Sequence, residues 1–182
     1  LNAKPAELKV RDYLGYLYEE SKDFNKAIEA YRYNIYLDPR FSDSHIHLGV
    51  LLYRLKQFPE AVTHLDEAVR LVPKQPEPYI VLGLAHVQSD QFEKATQAFE
   101  EGIRHNPKNA DLHFNLGTAY DKLNRFEDVE HAMETTLSLD PHHADALNYL
   151  GYSYADRGIK IEQALSLTKR AVALKPENGY YV

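Results

Sequence analysis

Five glycines stand 34 residues apart: Gly15, Gly49, Gly83, Gly117 and Gly151, each directly after a leucine (Leu14, Leu48, Leu82, Leu116 and Leu150). Pro39, Pro73, Pro107 and Pro141 keep the same step, and Pro176 follows one residue late. So do Ala27, Ala61 and Ala95; Val129 breaks that run and Ala164 resumes it. A fixed period of this size belongs to solenoids, in which each supersecondary unit buries its apolar face only against its neighbours. The expected architecture is therefore all-α, a stack of helix pairs.

Each period reads as two helical segments around a short turn. The first runs from Leu8 to Ser21, turns at Lys22-Asp23 and continues from Phe24 to Leu37. Asp43, Glu77, Asp111 and Asp145 fall in the first turn of successive leading helices, where a negative charge meets the positive end of the helix dipole. Pro59 sits just inside a trailing helix, where its missing N–H costs nothing. Asp38-Pro39 and Asp140-Pro141 close trailing helices, because proline disfavours helix in the residue before it. Connections this short force neighbouring helices to lie antiparallel. A mid-helix glycine costs ~1 kcal/mol against alanine, so five at one phase require close helix–helix approach. The alanine ladder serves the same contact from the trailing helix. Phe24, Phe58, Phe92 and Phe126, with Ile161, are expected to fill the space beside it.

The composition is that of a folded, water-facing chain, 44% hydrophobic and 26% charged. No apolar run approaches the ~18 residues that span a bilayer, so no membrane insertion is expected. A formal charge of −6 disfavours nucleic acid, whose phosphates need a basic face. The absence of cysteine removes disulfides and thiolate metal sites.

Leu-Gly, a tyrosine three residues on (Tyr18, Tyr120, Tyr154), alanine twelve after the glycine and proline twelve further: this pattern resembles the tetratricopeptide repeat. The resemblance covers nearly the whole chain and implies a right-handed superhelical solenoid of antiparallel helix pairs that scaffolds protein–protein interaction. The repeats would be 8–41, 42–75, 76–109, 110–143 and 144–178. Residues 1–7 would be the tail of a preceding repeat and a linker, and 179–182 the start of a further one. The fifth repeat carries one extra residue within Gly158-Ile159-Lys160-Ile161, so its turn should bulge. It also resembles repeats common in bacterial members, which implies a bacterial protein and leaves cytoplasm or periplasm open.

On a helical wheel of ~100° per residue, positions −4, −1, 0 and +3 around each glycine form a core stripe. Positions −5, +2 and +6 form a second stripe suited to the preceding repeat: Val10, Leu17, Leu51, Leu55, Ala85, Leu112, Ala119 and Leu123. Positions −3, −2, +1, +4 and +5 form a third face, which in tetratricopeptide arrays lines the concave groove. That face is not polar. It carries Ile46, Val50, Tyr53, Ile80, Val81, Leu84 and Val87 in the middle, Tyr13 and Tyr16 at one end, and Phe114, Tyr149 and Tyr152 at the other. A helix apolar all round is buried against something, and each aliphatic side chain covered is worth ~1.5–3 kcal/mol. The expected ligand is a peptide or helical segment with apolar anchors. Asp12, Glu19, Glu20, Asp121 and Asp156 would form an acidic rim matched to basic flanks on that ligand. The alternative is self-association into a homo-oligomer, through this face or the solenoid ends.

Other chemistry finds no footing. Cochaperone members grip a C-terminal carboxylate with lysine, arginine and asparagine, but here those places hold Asp12, Tyr16, His47, Glu77 and Val81. Nine histidines are scattered without a His-Glu-x-x-His spacing, so neither metal nor cofactor is expected. No phosphate loop, nucleophile elbow or catalytic triad can be placed, and no enzymatic activity is expected.

Overall fold

The computed structural model describes residues 4–177. Those residues form ten helices and no strand. In chain order they are α1 (Pro5–Glu20), α2 (Phe24–Leu37), α3 (Ser42–Arg54), α4 (Phe58–Leu71), α5 (Pro76–Gln88), α6 (Phe92–His105), α7 (Ala110–Lys122), α8 (Phe126–Leu139), α9 (Ala144–Asp156) and α10 (Ile161–Leu174). Residues 1–3, expected as part of a preceding repeat's tail, and 179–182, expected to open a further repeat, lie outside the described residues. No described helix is long and apolar enough to cross a membrane.

The chain divides into two compact units, Leu1–Asn106 and Pro107–Val182. Within the first, α1 packs on α2, α3 on α4 and α5 on α6, and each trailing helix also meets the next leading helix. Within the second, α7 packs on α8 and α9 on α10, and α8 meets α9. Helix ends follow the sequence signals. Pro59 and Pro76 stand in first turns, Asp43, Glu77, Asp111 and Asp145 lie at the dipole-positive ends, and Asp38 and Asp140 cap trailing helices. Pro5 takes the first position of α1, which therefore starts three residues ahead of the expected Leu8.

The glycine ladder is where paired helices touch. A Cβ on Gly83 would stand 2.3 Å from the Phe99 ring, one on Gly15 2.5 Å from Tyr31, and one on Gly49 2.6 Å from Leu65. In the second unit a Cβ on Gly117 would meet the end of Met133, and one on Gly151 would meet Thr168 and the Ala164 carbonyl. This corrects one expectation. The bulk facing the glycines comes from residues two turns into each trailing helix, not from the phenylalanines that open those helices. Phe126 is instead 40% exposed, because the first helical position lies beyond the glycine's reach.

Every turn inside a pair contains one residue in the left-handed region, and these too recur: Lys22, Lys56, Asp90, Asn124 and Gly158, with φ between 55° and 65°. Only the last is glycine. The extra residue of the fifth pair is absorbed by a second left-handed residue, Lys160 (φ 46°), at the start of α10. Its ammonium pairs with Glu130 and lies 3.1 Å from the Tyr154 hydroxyl, so the insertion is tied back to α8 and α9.

Candidate functional site

The wheel separates sealed from open faces along α3, α5 and α9, whereas on α1 the core-stripe Leu14 is exposed. The core stripe is buried at His45, Leu48 and Leu52 in α3, Tyr79, Leu82 and His86 in α5, and Leu147, Leu150 and Tyr154 in α9. The second stripe is buried at Leu51, Ala85, Leu112 and Ala119. On α1, the first described helix, no described element precedes to cover it, and Val10 is 71% exposed.

The third face is half closed. In the first unit Ile46 is only 6% exposed, which removes it from the candidate docking surface. The cause is direct contact between successive leading helices, α1 with α3 and α3 with α5, which walls in the start of α3. Tyr53 and Val81 pack against the core cluster built on Tyr31, Leu48, Leu65 and Leu82. Val50, Ile80, Leu84 and Val87 stay half-buried. Tyr13 and Tyr16 are exposed and stacked on each other, ring centroids 6.0 Å apart. In the second unit Phe114 is wedged between His143, 4.8 Å away, and the edge of Tyr149, 6.3 Å away. Tyr152 projects outward, 69% exposed.

Not all the acids form a rim. Asp12 is buried, accepting from the Ser44 hydroxyl at 2.6 Å. The Nδ1 of His47 lies 2.8 Å from its other oxygen, off the line of an ideal hydrogen bond but close enough for charge to hold it. That carboxylate raises the His47 pKa above its ordinary value, against the effect of burial. Asn34, fully buried, donates to the Leu8 carbonyl at 2.8 Å and to Ser44 at 3.0 Å, and accepts from Arg11 at 3.1 Å. A buried polar group without such partners would be costly, and here the loop of contacts closes across α1, α2 and α3. Glu19 is likewise occupied, accepting from the Tyr31 hydroxyl at 2.8 Å and pairing with Arg54 at 3.0 Å. A wheel drawn on α1 alone places Asp12 and Glu19 on one face and cannot show that Ser44 and His47 of α3 turn toward Asp12, and Tyr31 of α2 toward Glu19.

One histidine pair is brought together across helices. His45 Nε2 donates to the Pro39 carbonyl at 3.1 Å, which leaves its Nδ1 to accept from His64 Nδ1 at 3.3 Å. Burial lowers the pKa of both and so favours the neutral form of each ring. Among the described residues no group of three or more histidine, aspartate or glutamate side chains converges to hold a metal ion.

In the second unit the groove-face residues Asp121, Tyr149, Tyr152 and Asp156 meet Phe126, Ser153 and Arg157 around a cleft of about 180 Å³. Tyr149 donates its hydroxyl to Asp121, and burial together with that carboxylate raises the phenol's pKa. The Arg157 guanidinium lies 5.2 Å above the Phe126 ring.

Two models of the tetratricopeptide repeat match the chain, over residues 14–76 and 86–150. No curated protein sequence matches. Among solved structures, MamA superposes with a TM-score of 0.81 at 26% identity, over 90% of this chain and 95% of its own. MamA from Desulfovibrio magneticus RS-1 gives 0.82 at 19% identity, over 97% and 99%. YrrB, described as a TPR protein with an unusual peptide-binding site, gives 0.74 at 19% identity, over 94% and 88%. Helix pairs in contact at a 34-residue glycine ladder, the two model matches and these superpositions agree: the chain belongs to the tetratricopeptide-repeat family, whose members are protein-interaction scaffolds.

Proposed function

We propose that the chain binds a peptide or helical segment on the third face of its leading helices, the groove face, with apolar anchors meeting α3 and α5. The observation behind this reading is the contrast between stripes. Leu48, Leu51 and Leu82 are sealed, while Val50, Ile80, Leu84 and Val87 remain within reach of solvent. Half-buried aliphatic side chains are already ordered, so covering them removes apolar area from water at little further entropic cost. Tyr13, Tyr16 and Tyr152 add rigid aromatic contact area beside them. A peptide-binding site is described for YrrB, whose fold this chain shares. The five-repeat division, a bacterial origin and the absence of catalytic chemistry belong to the same reading.

The test is selection from a random-peptide display library on the purified chain. Wild type should enrich peptides with spaced apolar residues. Val50→Asp with Leu84→Asp should lose that enrichment while circular dichroism keeps its helical signal; Tyr16→Ala, at an exposed position, provides a second variant that cannot disturb the core. A wild type that enriches nothing, or variants that enrich the same peptides, would remove the docking surface.

Self-association has one observation of its own. Val10, Leu14 and Leu17 on α1, and Ile161 and Leu165 on α10, are exposed, and a cleft of about 380 Å³ opens along Ala6, Val10 and Leu14. Sedimentation over a concentration series separates the readings: a monomer at high concentration excludes assembly, and a dimer abolished by Val10→Asp supports it.

A further inference from the structure

Building on the groove face as a peptide-docking surface, we propose that the cleft between α7, α8 and α9 is a pocket for an arginine side chain of the bound partner. Two ladder positions make the case. The fourth residue after a leading-helix glycine is Glu19 in α1 and Asp121 in α7; the fifth is Arg54 in α3 and Asp156 in α9. At the first junction the chain fills the place itself, with the Arg54 guanidinium 3.0 Å from Glu19. At the last junction the acid is kept and the arginine is replaced by a second acid. No guanidinium reaches Asp121 from that place on α9, and the cleft's own Arg157 rests over Phe126.

The walls suit the same ligand. Tyr149, Tyr152 and Phe126 line the cleft, and a guanidinium stacks well on aromatic faces. Arg157 shows this on the spot, resting over Phe126. Two carboxylates against the single Arg157 leave the cleft net negative. Asp121 accepts one bond from Tyr149, and a carboxylate has about four acceptor sites, so a planar N–H fork still finds room. The volume, about 180 Å³, fits one side chain and falls short of the ~300–1,000 Å³ of sites for whole small-molecule ligands. Tyr152 and Asp156 stand exposed at the mouth, where a docked peptide would pass.

The probe is Nα-acetyl-arginine amide, titrated into the ¹⁵N-labelled chain, with the citrulline and lysine analogues alongside. The expected result is saturable shifts at Tyr149, Tyr152 and Asp156 with arginine, none with neutral citrulline and weaker ones with lysine. Asp121→Asn with Asp156→Asn should weaken binding about tenfold or more, the scale of a partly desolvated charge contact. Asp156→Arg, which restores the first junction's arrangement, should block the cleft outright. No response to arginine, an equal response to citrulline or lysine, or a response unchanged in the variants would overturn the assignment. The peptide selection keeps the two ideas apart. Peptides with apolar anchors but no arginine enrichment leave the docking face standing and sink the pocket. Arginine enrichment that vanishes only in the double variant supports both.

Discussion

The α1–α3 junction and the α7–α9 junction occupy the same places in the 34-residue frame and are finished in opposite ways. The first is closed by polar side chains of the chain itself. Asn34 ties Leu8, Ser44 and Arg11, Asp12 holds Ser44 and His47, and Arg54 neutralises Glu19. The last carries Thr136 where Asn34 stood, Phe114 three residues before its glycine where Asp12 stood, and Asp156 where Arg54 stood. The Thr136 hydroxyl donates to the Ala132 carbonyl of its own helix. The lesson is that ladder residues fix where helices meet, while the variable positions beside them decide whether a junction is sealed or left open.

The sharpest way to break this comparison is at those two polar positions. Asn34→Ala should cost roughly 2–3 kcal/mol in denaturant unfolding, because it removes at once the three hydrogen bonds by which a buried amide joins Leu8, Arg11 and Ser44. Thr136→Val should cost under about 1 kcal/mol, since only a local bond is lost. Equal losses would mean the first junction is no more polar-locked than the last.

The glycines give the next contrast. Gly83→Ala forces a methyl against the fully buried Phe99 ring. Overpacking of about 1–3 kcal/mol should exceed the ~1 kcal/mol gained in helix propensity. Gly117→Ala meets the flexible end of Met133 and, at 3.1 Å, the Ala132 methyl, so its net cost should be smaller than that of Gly83→Ala. Thermal melts of both variants rank them; a Gly83→Ala as stable as Gly117→Ala would show that the rings can give way.

The smallest expected effect is with pH, because opposed shifts partly offset. Burial lowers the pKa of His45, His64 and His86. The unfolded chain therefore takes up protons that the folded unit resists, and stability falls as pH drops below about 6.5 toward the folded values. His47, raised by Asp12, works the other way. Its contribution is full below about pH 6.5 and is lost as pH rises through its folded value. Melting points between about pH 7.5 and 5.5 should fall with acidification, less steeply in His64→Gln and more steeply in His47→Gln.

Much of this was legible without coordinates. The glycine, alanine and proline steps, the acids of the first turns and the closing Asp-Pro pairs report local backbone and dipole preferences, which depend on near neighbours in the chain. They fixed the helices, the pairing and the existence of a third, apolar face. What escaped the wheel were contacts between residues from about ten to thirty apart in sequence. Ile46 is walled in by neighbouring leading helices, Asp12 turns inward to Ser44, and the glycines face the middle of each trailing helix instead of its opening phenylalanine. The recurring left-handed turn residue was also hidden, because Lys22, Lys56, Asp90 and Asn124 share a conformation and not a side chain.

Local periodicity is written in single residues, so the sequence alone determined that this chain is a run of antiparallel helix pairs. Whether a given carboxylate or aliphatic side chain is sealed or reachable depends on which helix crosses over it and at what height. Only the tertiary structure decided that. It closed the surface around Ile46 and Asp12, and it gathered Asp121, Tyr149, Tyr152 and Asp156 around one cleft.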